Sequence, residues 1–241
     1  MLTRAEMKQR AKDAMSSAST HPVLVTLVFL VISFAIIGII SFIMQMMSIG
    51  VSIGTSALDS NPAVIGGILA VLPVTIILSL VSFVINSILA TGLTAYYIKT
   101  IRHQEAGMET LFAFFKFAVK IFCLYFMIQL FISLWSLLFF IPGIIATYRY
   151  AMAVYIYIDD PDKGILQCIT ESKLMMVGHK WEFFVLQISF ILWGLLCLVT
   201  CGLAALYVAP YSGLTCAVYY DNLKYINAPQ SAPFEGQPQF N

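Results

Sequence analysis

Long apolar runs that hold almost no charge constrain this chain more than any other feature. Residues 23–47 and 64–98 form the first two runs, and each is longer than the roughly 20 apolar residues that cross a bilayer as a helix. Hydrophobic residues make up 60% of the chain and charged residues 10%, whereas soluble domains hold roughly 45–50% and about 25%. The sequence therefore predicts an all-α, polytopic membrane protein.

Four further runs bring the expected number of transmembrane helices to six. They cover residues 121–141, 144–158, 183–203 and 204–220. The run at 64–98 is longer than a crossing needs, so it must tilt, bend at Pro73 or project beyond the bilayer. The run at 144–158 covers only about 22 Å of a hydrocarbon core of about 30 Å, so by its length alone it also fits a re-entrant segment.

Basic residues indicate the orientation. With six crossings and a cytoplasmic N-terminus, every basic residue except Arg149 falls in a cytoplasmic segment. The positive-inside rule favours this arrangement over five crossings, which would leave Lys224 outside. We therefore expect a multi-pass protein with both termini in the cytoplasm, whose first run is a retained helix and not a signal peptide.

Tyrosines end each helix that returns to the cytoplasmic side. Amphipathic aromatic rings are enriched at membrane interfaces, so these tyrosines are expected among the lipid headgroups. They are Tyr96, Tyr97, Tyr155, Tyr157, Tyr219 and Tyr220.

An internal repeat divides the chain. Gln129 and residues 134–138 return 58 residues later as Gln187 and residues 192–196. A candidate amphipathic helix precedes each outward span, at residues 3–15, 108–117 and 165–177; it can lie along an anionic inner leaflet or extend the span into solvent. The sequence thus predicts one six-span domain, residues 1–226, made of three parallel hairpin repeats at about 1–104, 105–160 and 161–226. Residues 227–241, rich in Pro and Gln, are expected to be a disordered tail.

Several short motifs together resemble one known family. They are Arg4-Ala5-Glu6-x-Lys8, Ile141-Pro142-Gly143-Ile144-Ile145, Tyr148-x-Tyr150-x-Met152, Asp160-x-Asp162, Gly178-His179-Lys180 and Ala209-Pro210-Tyr211. The combination resembles the bacterial integral membrane family called domain of unknown function 975. The resemblance implies a polytopic membrane protein, mostly of Gram-positive bacteria, and transfers no functional residue. Ala146 departs from the family pattern, where a lysine is expected.

Arg149 is the sharpest candidate for function. An arginine inside a membrane costs from about 2.5 to more than about 10 kcal/mol, so it usually faces a partner, a cavity or an interface. It either snorkels or pairs structurally, or it contacts a ligand. The candidate intramembrane polar site comprises Arg149, Tyr148, Tyr150, Gln129, Gln187 and Asn86. For the three amides, interhelical hydrogen bonding is the alternative interpretation.

Catalytic and metal-binding patterns are not evident. The run Asp159-Asp160-Pro161-Asp162 is compatible with a divalent cation, but its proline favours a turn in which Asp162 caps the next helix. The histidines and cysteines form no ligand or catalytic spacing. We therefore expect no catalytic residue, no metal and no cofactor, and the net charge of +1 argues against nucleic acid as a partner.

These observations favour a non-enzymatic membrane protein of the bacterial plasma membrane. The first hypothesis is an envelope accessory or scaffold whose partners are membrane lipids, another membrane protein or itself. The alternative is a small-solute transporter or channel-like protein with a polar path near Arg149. An enzyme that acts on lipid headgroups through the Asp159–Asp162 run is the least supported.

Overall fold

A computed structural model of the protein describes residues 2–18, 20–58, 61–200 and 202–227, with the backbone alone for residues 53–58, 61–68, 70 and 140. Within these ranges the fold is all-helical and contains no strand, which confirms the predicted class. Five helical segments are long and apolar enough to cross a membrane: Pro22–Ser52, Val71–Ile101, Met108–Leu138, Ile141–Asp159 and Lys180–Val199. The predicted tail, apart from Asn227, lies outside the described residues.

The described helices follow the predicted order. They are α1 (Arg4–Ser17), α2 (Pro22–Leu58), α3 (Asn61–Ile101), α4 (Ala118–Leu138), α5 (Phe140–Tyr150), α6 (Ala153–Asp159), α7 (Ile165–Met175), α8 (Lys180–Ile188), α9 (Ile191–Val199) and α10 (Ala205–Asn227). Residues 108–117, expected to be an amphipathic helix, instead form two short 3-10 helices, Met108–Leu111 and Phe115–Phe117.

Helix α1 begins with a capping box. The Thr3 hydroxyl accepts a hydrogen bond from the Glu6 backbone N–H, and the Glu6 carboxylate accepts one from the Thr3 N–H at 2.7 Å. Met7, Ala11 and Ala14 are buried on one face, and α1 contacts α3 and α10. The apolar stripe of this helix therefore packs on protein, whereas the sequence had left open the inner leaflet or an extension into solvent.

Helices α2 and α3 form the longest hairpin of the fold. They contain 37 and 41 residues, well beyond the predicted spans at 23–47 and 64–98. Pro73 lies inside α3 without ending it. Outward-facing apolar side chains cover both helices, including Phe34, Phe42 and Ile76, as expected for a surface in contact with lipid.

Helices α4 and α5 form a second, shorter hairpin. Its turn is at Phe139, whose backbone is extended, and not at Pro142-Gly143 as the sequence suggested. Pro142 is tolerated in the first turn of α5 because a proline there forfeits no intrahelical hydrogen bond. Gly143 packs against Ser136 so closely that a Cβ at position 143 would overlap the serine hydroxyl. A glycine thus permits the close approach of the two helices.

The predicted span at 144–158 consists of two helices joined at Ala151 and Met152. Ser172 of α7 satisfies the backbone groups that the break leaves free. Its hydroxyl donates to the Arg149 carbonyl at 3.0 Å and accepts from the Met152 N–H at 3.2 Å. Helix α7 consequently runs back alongside α6, from the turn at residues 160–164 to the level of Arg149.

The predicted span at 183–203 is also divided, into α8 and α9, by a turn at Ser189 and Phe190. Gly178, with φ of 81°, makes the turn between α7 and α8, where its left-handed backbone suits a glycine. Helix α10, the sixth expected span, is not among the five membrane-crossing candidates in the described chain. Nine of its residues are buried, so it forms a central element of the bundle.

Tyrosines of the returning helices lie in the protein core. Tyr96, Tyr157 and Tyr219 are 0% exposed and Tyr220 is 2% exposed, so their predicted headgroup position is wrong. Most of their hydroxyls reach a polar partner within the protein, which permits burial of an amphipathic ring. Tyr96 donates to the Thr20 carbonyl, Tyr97 pairs with Thr26, and Tyr219 donates to the His179 carbonyl.

Gly92 of α3 provides a test of this packing. A Cβ at position 92 would overlap the backbone of Leu111, in the first 3-10 helix. Gly92→Ala should therefore destabilise the fold by about 1–3 kcal/mol, the usual cost of overpacking, as measured by the thermal unfolding midpoint in detergent. Gly194→Ala is the matched control, because a Cβ added there would meet no atom within 4 Å other than those of the adjoining residues of its own helix. Equal midpoints for the two variants would contradict the close contact.

Candidate functional site

Arg102 binds two aspartates that lie far away along the chain. It follows the last residue of α3, and its guanidinium donates to Asp159 at the end of α6 through Nη1 at 2.7 Å and Nη2 at 3.1 Å. The same guanidinium donates to Asp221 of α10, through Nη2 at 2.6 Å and Nε at 3.2 Å. Only arginine offers a planar set of donors that can serve two carboxylates at once.

Two further side chains complete the site around Asp159. The Tyr220 hydroxyl donates to Asp159 Oδ2 at 2.9 Å, and Lys224 Nζ donates to the same oxygen at 2.5 Å. We call Arg102, Asp159, Tyr220, Asp221 and Lys224 the inner ion cluster. Its two carboxylates balance its two cations, so the cluster is electrically neutral.

The inner ion cluster is largely withdrawn from solvent. The side chains of Arg102, Asp159 and Asp221 are 27%, 13% and 20% exposed. Burial by itself lowers the pKa of Arg102, but the hydrogen bonds from its guanidinium to Asp221 and Asp159 outweigh burial and raise that pKa above its ordinary value. The guanidinium therefore stays charged at every physiological pH, and both acids already have basic partners. Such an arrangement joins helices and leaves neither acid unpaired for proton transfer.

The acidic run Asp159–Asp162 has a different structure from the one predicted. Asp159 belongs to the inner ion cluster, and Asp160 accepts the backbone N–H of Asp162 in a turn. Gly164, and not Asp162, is the N-cap residue of α7, so the predicted cap is wrong. Within the described part of the chain, no group of three or more His, Cys, Asp or Glu side chains could hold a metal ion.

The sequence-predicted polar residues are distributed over several surfaces. Tyr148 packs edge-on against Phe183 and Phe184 of α8, at ring distances of 6.0 and 5.6 Å. Tyr150 faces the other way, toward Phe131 of α4. Arg149, between them, is half-buried, and its side chain has no hydrogen-bonding or ion-pair partner among the described residues.

The three amides differ in their surroundings. Asn86 donates to the Ser82 carbonyl of its own helix at 2.9 Å, so this hydrogen bond does not join two helices. Gln129 of α4 and Gln187 of α8 are both exposed on the surface of the protein. Gln187 nevertheless lines a cavity of about 240 Å³ between α5 and α8. The other lining residues are Ile144, Thr147, Tyr148, Ala151 and Phe183.

Sequence reasoning missed the inner ion cluster, although a signal was present. Arg102, Asp159 and Asp221 each lie within a few residues of the tyrosines that end a returning helix. Residues of opposite charge thus stand at corresponding ends of the hairpin units. This pattern indicates that these ends meet. The charges were instead assigned to cytoplasmic loops, because the positive-inside rule considers only the side of the membrane.

Arg102→Gln tests the importance of the inner ion cluster. The substitution leaves two partly buried carboxylates short of a partner and should cost about 1.5–3 kcal/mol, the range for hydrogen bonds to charged groups. Thermal unfolding in detergent measures the loss. Lys163→Gln is the control, because the Lys163–Glu171 pair is more open to solvent and should contribute less than about 1 kcal/mol. A midpoint for Arg102→Gln no lower than that of the control would refute the central role of Arg102.

Comparison with known proteins supports one family. The family described as "Protein of unknown function (DUF975)" matches residues 1–146 and 137–227, which together include every described helix. No curated protein and no solved structure matches the chain. The family suggested by the sequence motifs is thus confirmed: this chain belongs to the DUF975 family of proteins of unknown function.

Proposed function

We propose that this protein is a non-enzymatic accessory or scaffold of the bacterial plasma membrane that acts by binding protein or lipid partners. The observation behind the proposal is the length of the α2–α3 hairpin, together with the apolar surface that the other described residues leave uncovered. The family match is compatible with this role and names no activity.

The hairpin is much longer than a bilayer is thick. With 37 and 41 residues, α2 and α3 measure about 56 and 62 Å, against a hydrocarbon core of about 30 Å. Helix α4, with 21 residues, measures about 32 Å. The end of α3 and the beginning of α4 lie at a common inner level, since Arg102 binds Asp159 and Lys120 donates to the nearby Pro161 carbonyl. The α2–α3 hairpin therefore extends about 30 Å beyond the α4–α5 turn.

Tilting does not account for the excess. Fitting a 56 Å helix into a 30 Å core would need an angle of about 60°, whereas membrane helices tilt by about 0–40°. The distal part of the hairpin is nevertheless apolar: Ile49 and Leu72 are exposed there, and Asp59 is the only charged residue between positions 23 and 98. Outside the hydrocarbon, such a surface requires cover, and another protein is the cover we propose.

The membrane arrangement that we propose has six crossings, three parallel hairpin units and both termini in the cytoplasm. The inner ion cluster supports it, because the ends of α3, α6 and α10 must then lie on the same side of the membrane. If the α8–α9 segment crosses the membrane from the cytoplasmic side to the outside, α10 has to cross back. The 23 residues of α10 measure about 35 Å, enough for that crossing.

Transport of a small solute is the weaker alternative. The cavity beside Tyr148 and Gln187 favours it, since both residues belong to the predicted polar site. Its volume of about 240 Å³ is small, however, and the inner ion cluster joins the inner ends of the three returning helices. These contacts support a static bundle more than a path through it.

Substitutions in the distal hairpin test the scaffold proposal. Affinity purification from native membranes should recover a stable partner with the wild-type chain. The double variant Ile49→Ser/Leu72→Ser should reduce the yield of that partner at least about fivefold, equivalent to about 1 kcal/mol of interface energy. The matched control is Leu130→Ser/Leu134→Ser, two exposed residues of α4 within the bilayer-length hairpin. No partner with the wild type, or equal yields with the two variants, would remove the proposal.

Topology reporters test the six crossings. A reporter that is active only outside the cytoplasm should be active when fused after Asn61, and silent when fused after Asp162 or after Asn227. Activity after Asn227 would mean that α10 does not cross the membrane. Activity after Asp162 would mean that the second hairpin does not return to the cytoplasmic side. Either result would overturn the proposed arrangement.

A further inference from the structure

Two cations near the middle of the α5–α6 segment lack a counter-charge. Arg149 has no side-chain partner within the described residues, and Lys173 of α7 contacts only aromatic rings there, with Nζ 5.6 Å from the centre of Tyr150 and 5.7 Å from that of Phe131. The acids of α7 and α8 are already engaged. Glu171 pairs with Lys163 at 2.8 Å, and Glu182 contacts His179 at 3.1 Å.

One helix contact brings the two cations into the same region. The Ser172 hydroxyl bonds to the Arg149 carbonyl, and Lys173 is the next residue of α7. Tyr150, whose ring lies under the Lys173 ammonium, is the next residue after Arg149. Two positive charges thus flank the junction of α5 and α7, where an unpaired charge in hydrocarbon would be costly.

The surface beside this junction is suited to lipid. Leu174 of α7, Val177 of the following turn and Trp181 of α8 are 67%, 64% and 71% exposed. Trp181 packs against Phe184 with 5.2 Å between ring centres. The cavity between α5 and α8 has Tyr148 in its wall, and Tyr148 packs against Phe184, the ring that Trp181 contacts. An acyl chain can follow this surface while a phosphate reaches the two cations.

We infer that Arg149 and Lys173 bind the headgroup phosphate of an anionic phospholipid from the inner leaflet, whose acyl chains pack along Leu174, Val177 and Trp181. Charge complementarity supports this occupant, because guanidinium and ammonium groups are the usual phosphate ligands. An arginine below the membrane surface draws headgroups inward by thinning the bilayer locally. The polar side chains of α7, alongside α6, permit such thinning on this side of the protein.

Fluorescence of Trp181 tests the site in the full-length protein. The chain has three tryptophans, so Trp135→Phe/Trp193→Phe leaves Trp181 as the only one. This background is reconstituted in vesicles of phosphatidylcholine and phosphatidylglycerol, with bromine on the acyl chains of one lipid at a time. At equal mole fractions, brominated phosphatidylglycerol should quench Trp181 at least about threefold more strongly, the ratio for a preference of about 0.7 kcal/mol.

Charge variants identify the ligands. Arg149→Gln/Lys173→Gln should abolish the preference for phosphatidylglycerol, whereas Arg149→Lys/Lys173→Arg should retain it because both charges remain. Lys116→Gln is the matched control, since Lys116 also lies over an aromatic ring, that of Phe117 at 5.2 Å. An unchanged thermal unfolding midpoint for the glutamine variant shows that its fold is intact.

Three results would overturn the inference: equal quenching by both lipids in the starting protein, a preference that survives the glutamine variant, or its loss on adding inorganic phosphate. The third would assign the site to a soluble anion. The inference rests on the lipid-binding part of the proposed function. Failure here would leave hairpin-dependent recovery of a protein partner unchanged, so the two failures are distinguishable.

Discussion

The double ion pair of Arg102 is the interaction on which the arrangement of helices depends. One guanidinium joins the end regions of α3, α6 and α10, three helices that do not follow one another directly in the chain. Each aspartate by itself would lose hydration on burial, and so would the arginine. Together with Lys224 and the Tyr220 hydroxyl they exchange water for charge-assisted hydrogen bonds and leave no net charge. The cluster therefore favours one mutual position of the three helices over all others.

Close packing beside this cluster relies on tyrosine rings and glycines. Tyr97 lies against Gly213 of α10, where any side chain would overlap the ring, and its hydroxyl pairs with Thr26 of α2. Gly92 likewise admits the backbone of Leu111. In a membrane, helices gain little from the hydrophobic effect, so small residues and interhelical hydrogen bonds supply much of the attraction between them. The core of this protein uses both.

The two helical hairpins differ where function is proposed. The first is much longer than a bilayer, and its apolar surface suits a protein partner. The second is about the length of the hydrocarbon core and holds Arg149 near the middle of its α5–α6 segment, whereas Lys99 and Lys224 lie in the last turns of α3 and α10. Helices α7 and α8 pack against α5, and α7 contributes Lys173. Unequal helix lengths and charges thus provide two surfaces of different chemistry, one apolar and distal on α2 and α3, the other cationic beside the junction of α5 and α7.

Hydropathy and charge, which depend on short stretches of chain, determined the class of the protein and the approximate position of the apolar helices. The short motifs of the sequence determined the family. They did not determine which distant residues meet. Asp159 and Asp221 are 57 and 119 residues from Arg102, and no local pattern distinguishes a carboxylate that pairs across helices from one in a turn. The tyrosines illustrate the same limit: an amphipathic ring at a helix end suits a headgroup layer or a protein core equally well. Tertiary structure decided between them, because only there do Thr20, Thr26, His179 and Asp159 come within hydrogen-bonding distance of the tyrosine hydroxyls.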